Sequence, residues 1–103
     1  MNSFTEESAA MAYYALIYKI VDMKKNAAHR PEHVEFLRGL LREGKILTGW
    51  KFPDYQTGLV QGVLICPAIS KAQVESWFFD DPVISSGART FEVRDAEEMA
   101  IKI

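Results

Sequence analysis

Six blocks of patterned hydrophobicity run along the chain. The first, MAYYALIYKIV (Met11–Val21), mixes aromatic and β-branched residues with little polarity before Lys19, which predicts a largely buried strand. Asp22–Ala28, with two lysines and an asparagine, reads as a loop. From Arg30 the period lengthens: Val34, Leu37, Leu40 and Leu41 recur at helical spacing, Pro31 suits a first turn and Gly44 a stop, so a helix is predicted over 31–43. KILTGWKF and GLVQGVLIC are strand-like runs separated by Pro53–Thr57, a connection of hairpin length, and should pair antiparallel. Ser70 fits as the N-cap of a second helix with Ala72, Val74, Trp77 and Phe78 as its apolar positions, ended by Asp80, Asp81 and Pro82. An alternating strand, Ala88–Arg94, precedes the tail EEMAIKI, for which helix and strand are both open.

The order strand, helix, strand, strand, helix, strand is that of the ferredoxin-like βαββαβ unit, an α+β fold with an antiparallel sheet. Such a sheet carries helices on one face only, and a chain of 103 residues has no further element to cover the other. The pattern therefore predicts a homodimer, or a higher oligomer built from it, whose sheets meet face to face as an α/β barrel. Residues 1–10, MNSFTEESAA, are polar and small and read as a disordered extension, leaving a single domain over 11–103.

Composition narrows the class. Hydrophobic residues at 49% and charged ones at 25% are those of a soluble globular domain. Twelve basic against 14 acidic residues leave a net charge of -2, which offers no footprint for nucleic acid. The longest apolar runs fall far short of the roughly 20 residues that span a bilayer. Residues 1–10 lack the pattern of a secretory signal, so a cytoplasmic protein is expected. One cysteine, Cys66, lies within an apolar run and has no activating base beside it, so an inert buried thiol is the expectation. One cysteine and two histidines make no metal-ligand cluster, and the scattered glycines match no nucleotide fingerprint; neither metal nor cofactor is predicted.

The candidate chemistry gathers around HRPEHVEFL (His29–Leu37). On a helix starting near Pro31, His33 aligns with Leu37, Leu40 and Leu41 at spacings of four, seven and eight, at the edge of the apolar stripe. A first-turn position there would lie near the positive end of the helix dipole and favour neutral imidazole, as a general base requires. A core-edge histidine satisfied by a carbonyl is the competing reading. His29 has no such constraint. Asp80 reads as a helix stop. Asp81 is either part of that stop or a carboxylate that orients His33 and stabilises its imidazolium. Arg30 either grips a substrate carboxylate or enolate, or pairs with Asp81 or Glu32. Trp50 and Phe52 share a strand face by period two with Tyr55 in the turn beyond, a set that could wall a pocket for a planar ligand or pack in core or interface.

Three stretches carry a family likeness: HRPEHVEFLRGLLREGKILTGWKFPD, GLVQGVLI and FFDDPVISSGARTFEV. With Arg30 three residues before His33, Gly44-Lys45 entering a strand, and Asp81-Pro82 followed by Gly87, the chain resembles the YCII-related (YciI-like) family of dimeric α/β-barrel proteins. It departs at Gly49-Trp50, where many relatives have Gly-Pro. The resemblance implies a ferredoxin-like fold, a dimeric barrel and an active site centred on a histidine and an aspartate, here His33 and Asp81, with Arg30 beside them. It further implies cofactor-free lyase or isomerase chemistry on a small cyclic metabolite, aromatic- or lactone-derived, with dehydrochlorination as one variant. A non-catalytic small-molecule-binding or accessory module on the same dimer is the alternative, since one fold hosts many functions.

Overall fold

The structure, a computed structural model, describes residues 11–101. The extension expected over residues 1–10 lies outside the described residues. The alternating first block forms β1 (Ala12–Ile20), and the two runs after the helix form β2 (Thr48–Lys51) and β3 (Val60–Ala68). The last alternating block is β4 (Arg89–Ala96). All neighbours pair antiparallel in the order β2-β3-β1-β4, the ferredoxin-like arrangement. The helices are α1 (Met23–Arg42), α2 (Lys71–Phe78) and a short α3 (Pro82–Ser85).

Leu16 and Tyr18 of β1, Cys66 and Ala68 of β3 and Val93 of β4 point one way by the two-residue period. They join Leu40, Val74, Phe78 and Val83 from the three helices in a single core. The alternate positions Ala15, Ile17, Val63, Ile65 and Pro67 occupy the opposite face and are only partly buried.

The longest helix differs from expectation at its start. It begins at Met23, not at Pro31: Asp22 caps it by accepting the Lys25 amide at 3.0 Å, so the lysines read as loop form the exposed first turn. Asn26, His33 and Leu40, seven apart, form its buried line. Pro31 therefore sits inside the helix, where it lacks the N–H that would bond the Ala27 carbonyl, and His29 lies on the helix rather than in a loop. At the other end Gly44, with φ of 76°, lets the chain reverse after Glu43.

Further along, Ser70 caps α2 as expected, its hydroxyl accepting the Gln73 amide at 3.1 Å. Beyond the stop expected at Asp80, Asp81 and Pro82, a further short helix follows: Pro82 in the first position starts α3. Residues 97–101 of the tail are neither helix nor strand. Between Tyr18 and Lys19 the β1–β3 register slips, leaving Gln61 as the extra residue of a bulge.

Candidate functional site

Beneath α1, a half-open cavity of about 310 Å³ lies between that helix and the β2–β3–β1 part of the sheet. Its volume is at the small end of the range for small-molecule sites. His33, Arg30, Trp50 and Tyr55 line it, together with Tyr18, Gln61 and Arg89. Three lining residues, Arg30, Lys51 and Arg89, are cationic, and none carries a carboxylate.

His33 is the eleventh residue of α1, so the dipole argument for a first-turn histidine does not apply: that field fades within one turn of the helix end. Asp81 sets the ring instead. His33 Nδ1–H donates to it, 2.9 Å from each carboxylate oxygen, across 48 residues of sequence. This tautomer leaves the Nε2 lone pair toward Arg89, whose Nη1 is 3.5 Å away. Asp81 itself is fully buried behind the histidine and does not line the cavity. It also accepts the Tyr18 hydroxyl at 2.6 Å and, as N-cap of α3, the Val83 amide at 3.2 Å. Three donors thus hold one buried carboxylate, which explains how it tolerates burial. Burial, then the charge of Asp81 and the hydrogen bond to it, raise the Tyr18 phenol well above its usual range, so Tyr18 is a fixed donor.

The two acidic partners considered for Arg30 are engaged elsewhere: Asp81 as above, and Glu32 with His29 Nδ1 at 3.2 Å. Arg30 lies exposed on the cavity rim. Trp50 borders the cavity while remaining 70% exposed. Phe52 does not join it: β2 ends at Lys51, the strand alternation that placed Phe52 beside Trp50 stops there, and Phe52 is absent from the wall. Tyr55 in the following turn does reach the cavity.

Arg89 and its supports were not singled out from the sequence. Arg89 Nε donates to Asn26 Oδ1 at 2.7 Å and Nη1 to Gln61 Oε1 at 3.0 Å, and its guanidinium lies 5.0 Å from the centre of the Tyr18 ring. A signal existed for Arg89: it falls in phase with Phe91 and Val93 on the inward face of β4. For Gln61 there was none, since the bulge alone turns it inward. Among the described residues no three His, Cys, Asp or Glu side chains converge as a metal site would require, and no helix is long and apolar enough to cross a membrane.

Fold and site together define a ferredoxin-like α+β protein with a small-molecule-sized cavity that His33 lines, its ring held from behind by the buried Asp81. The chain belongs to the YCII-related domain family, whose model matches residues 11–99. Among solved structures it resembles 5-chloro-2-hydroxyhydroquinone dehydrochlorinase from Burkholderia phenoliruptrix AC1100 in complex with 2,5-dihydroxybenzoquinone. That likeness has 22% identity and a TM-score of 0.65, and covers 84% of this chain and 95% of the other. No curated protein matches the chain.

Proposed function

We propose that the protein is a cofactor-free lyase or isomerase that uses His33 as general base, oriented by Asp81, on a small cyclic metabolite derived from an aromatic ring or a lactone. The observation that carries this reading is the contact between His33 Nδ1 and the buried Asp81, with His33 itself on the cavity wall. In this reading Nε2 takes a proton from a ring hydroxyl or an acidic ring carbon, and Asp81 stabilises the imidazolium. Returning the proton at another atom completes an isomerisation, and loss of chloride completes an elimination. Both outcomes are redox-neutral; in the isomerisation the proton returns to the substrate, and in the elimination His33 passes it to solvent as chloride leaves. Arg30 at the rim would attract an anionic substrate, and Tyr55 would stack on a planar one, while Trp50, opposite Val63 on the face turned away from the helices, would border the cavity without covering the ligand. The dehydrochlorinase named above binds a dihydroxybenzoquinone, a ligand of suitable size for a cavity of about 310 Å³.

The reading includes a cytoplasmic homodimer. The partly buried Ala15, Ile17, Val63 and Ile65 would meet their copies across the open sheet face, closing a barrel.

His33→Asn tests the base: its side-chain amide keeps a donor near Nδ1 for Asp81 but has nothing in place of Nε2. Chloride release from chlorinated hydroquinones and absorbance changes with unsaturated lactones should fall by about 10²- to 10⁴-fold, with the thermal midpoint held near that of the parent. Undiminished turnover in His33→Asn rules out the base. A second reading, a non-catalytic binding module, draws on the fact that every buried side-chain nitrogen and oxygen among the described residues has a partner, as a purely structural network would. It is favoured if parent and variant bind such ring compounds equally and neither turns them over.

A further inference from the structure

Arg89 uses only part of its hydrogen-bonding capacity. The side chain is 4% exposed, with Nε on Asn26 and Nη1 on Gln61. Its Nη2 makes no hydrogen bond to the described residues, although no sealed side-chain nitrogen or oxygen among them lacks a partner. Arg89 also lines the cavity, beside His33. The groups that orient the guanidinium are neutral amides. The nearest buried carboxylate, Asp81, is taken up by His33, Tyr18 and the Val83 amide. A buried cation with two unused N–H donors beside a cavity without carboxylates calls for an anion from outside.

We propose that Arg89 is the anion-binding residue of the cavity, and that it selects ring compounds carrying an oxyanion at neutral pH, either a carboxylate or the enolate of a hydroxyquinone. The inference rests on reading the cavity as a small-molecule site. With the oxyanion on Nη2, the ring lies beside His33, because Nη1 of the same planar fork is 3.5 Å from Nε2. Arg30, exposed at the rim, acts at longer range and is screened by salt. Burial lowers the Arg89 pKa from its usual value, partly offset by Tyr18, Asp81 and Tyr55, with a last, smaller lowering from Arg30; an incoming anion would counter the burial directly. The bulge at Gln61 belongs to the same device, since it turns a neutral acceptor, not a carboxylate, onto the guanidinium.

Calorimetric titration of the full chain with 2,5-dihydroxybenzoquinone, ionised at neutral pH, and with 2,5-dimethoxybenzoquinone, which keeps the quinone ring but has no enol to ionise, tests this. The parent should bind the anion at least about tenfold more tightly. Arg89→Met should weaken anion binding by about tenfold or more while shifting the neutral ligand by less than about threefold. Gln61→Glu, which preserves shape and supplies a competing carboxylate, should act in the same direction and decides the matter if Arg89→Met does not fold. Arg30→Gln should cost less than either. A parent without preference for the anion overturns the proposal, as does a preference that survives both Arg89→Met and Gln61→Glu. His33→Asn separates this from the catalytic reading: it should lose turnover yet keep the anion preference. An Arg89-dependent preference in a parent without turnover would sink only the lyase or isomerase assignment.

Discussion

Asp81 accepts from three donors that come from β1, α1 and its own turn, and the protonation of one of them, Tyr18, together with that of the buried Cys66, sets how the protein responds to alkali. Tyr18 has its phenol raised well above 10 by burial, and then by the neighbouring carboxylate. Cys66 has its thiol pushed up to about 12 by burial alone, as the apolar run around it suggests. In the unfolded chain these groups ionise near 10 and near 8.5. As pH rises, the unfolded chain gives up both protons first, so each group favours folding below its unfolded pKa and loses that contribution as pH climbs toward the folded value. The unfolding free energy from urea titrations should be level up to about pH 8.5, then decline by about 1.4 kcal/mol per pH unit for each group titrating. Tyr18→Phe should reduce the slope above about pH 10, where both groups contribute, and Cys66→Ala should remove the slope below about pH 10 and reduce it above. An unfolding free energy unchanged from about pH 8 to about pH 11 would contradict the assignment.

At the level of elements, α1 shows how far local pattern reaches. The inward phase of His33 was legible because Leu37 and Leu40 keep the helical period after it. The eight residues before Pro31 were not, because Lys24, Lys25 and their neighbours look alike in a loop and on the exposed side of a helix. The capping Asp22 and the Asn26–His33–Leu40 spacing were the only local signs. Keeping Pro31 in the interior costs the helix one hydrogen bond and crowds the preceding turn. Pro31→Ala restores the N–H facing the Ala27 carbonyl and should raise the stability measured by urea unfolding by about 1–3 kcal/mol. Lower stability would mean that the helix needs the distortion proline imposes. In β2, the alternation that grouped Phe52 with Trp50 failed because the strand is only four residues long.

For the whole molecule, the proposed dimer makes the clearest claim. Val63 pairs with Ile17 and with Trp50 in neighbouring strands, in the middle of the face turned away from the helices. Sedimentation of the parent should give twice the mass of one chain, and Val63→Glu, which sets a charge in the centre of that contact, should halve it while leaving the circular dichroism of the monomer intact. A parent that sediments as a single chain rejects the face-to-face barrel. Sequence by itself determined the order of the four strands and the two longer helices, the ferredoxin-like class that order implies and the inward phase of His33, because the elements follow from a period of two or 3.6 within a short window. Tertiary structure alone decided which partners the inward side chains meet. Tyr18 reaches Asp81 and Arg89 reaches Asn26 across 63 residues each, His33 reaches Asp81 across 48, and Gln61 faces Arg89 only because one strand carries an extra residue. No local period encodes those approaches, since they arise only when the strands pair and the helix settles on the sheet.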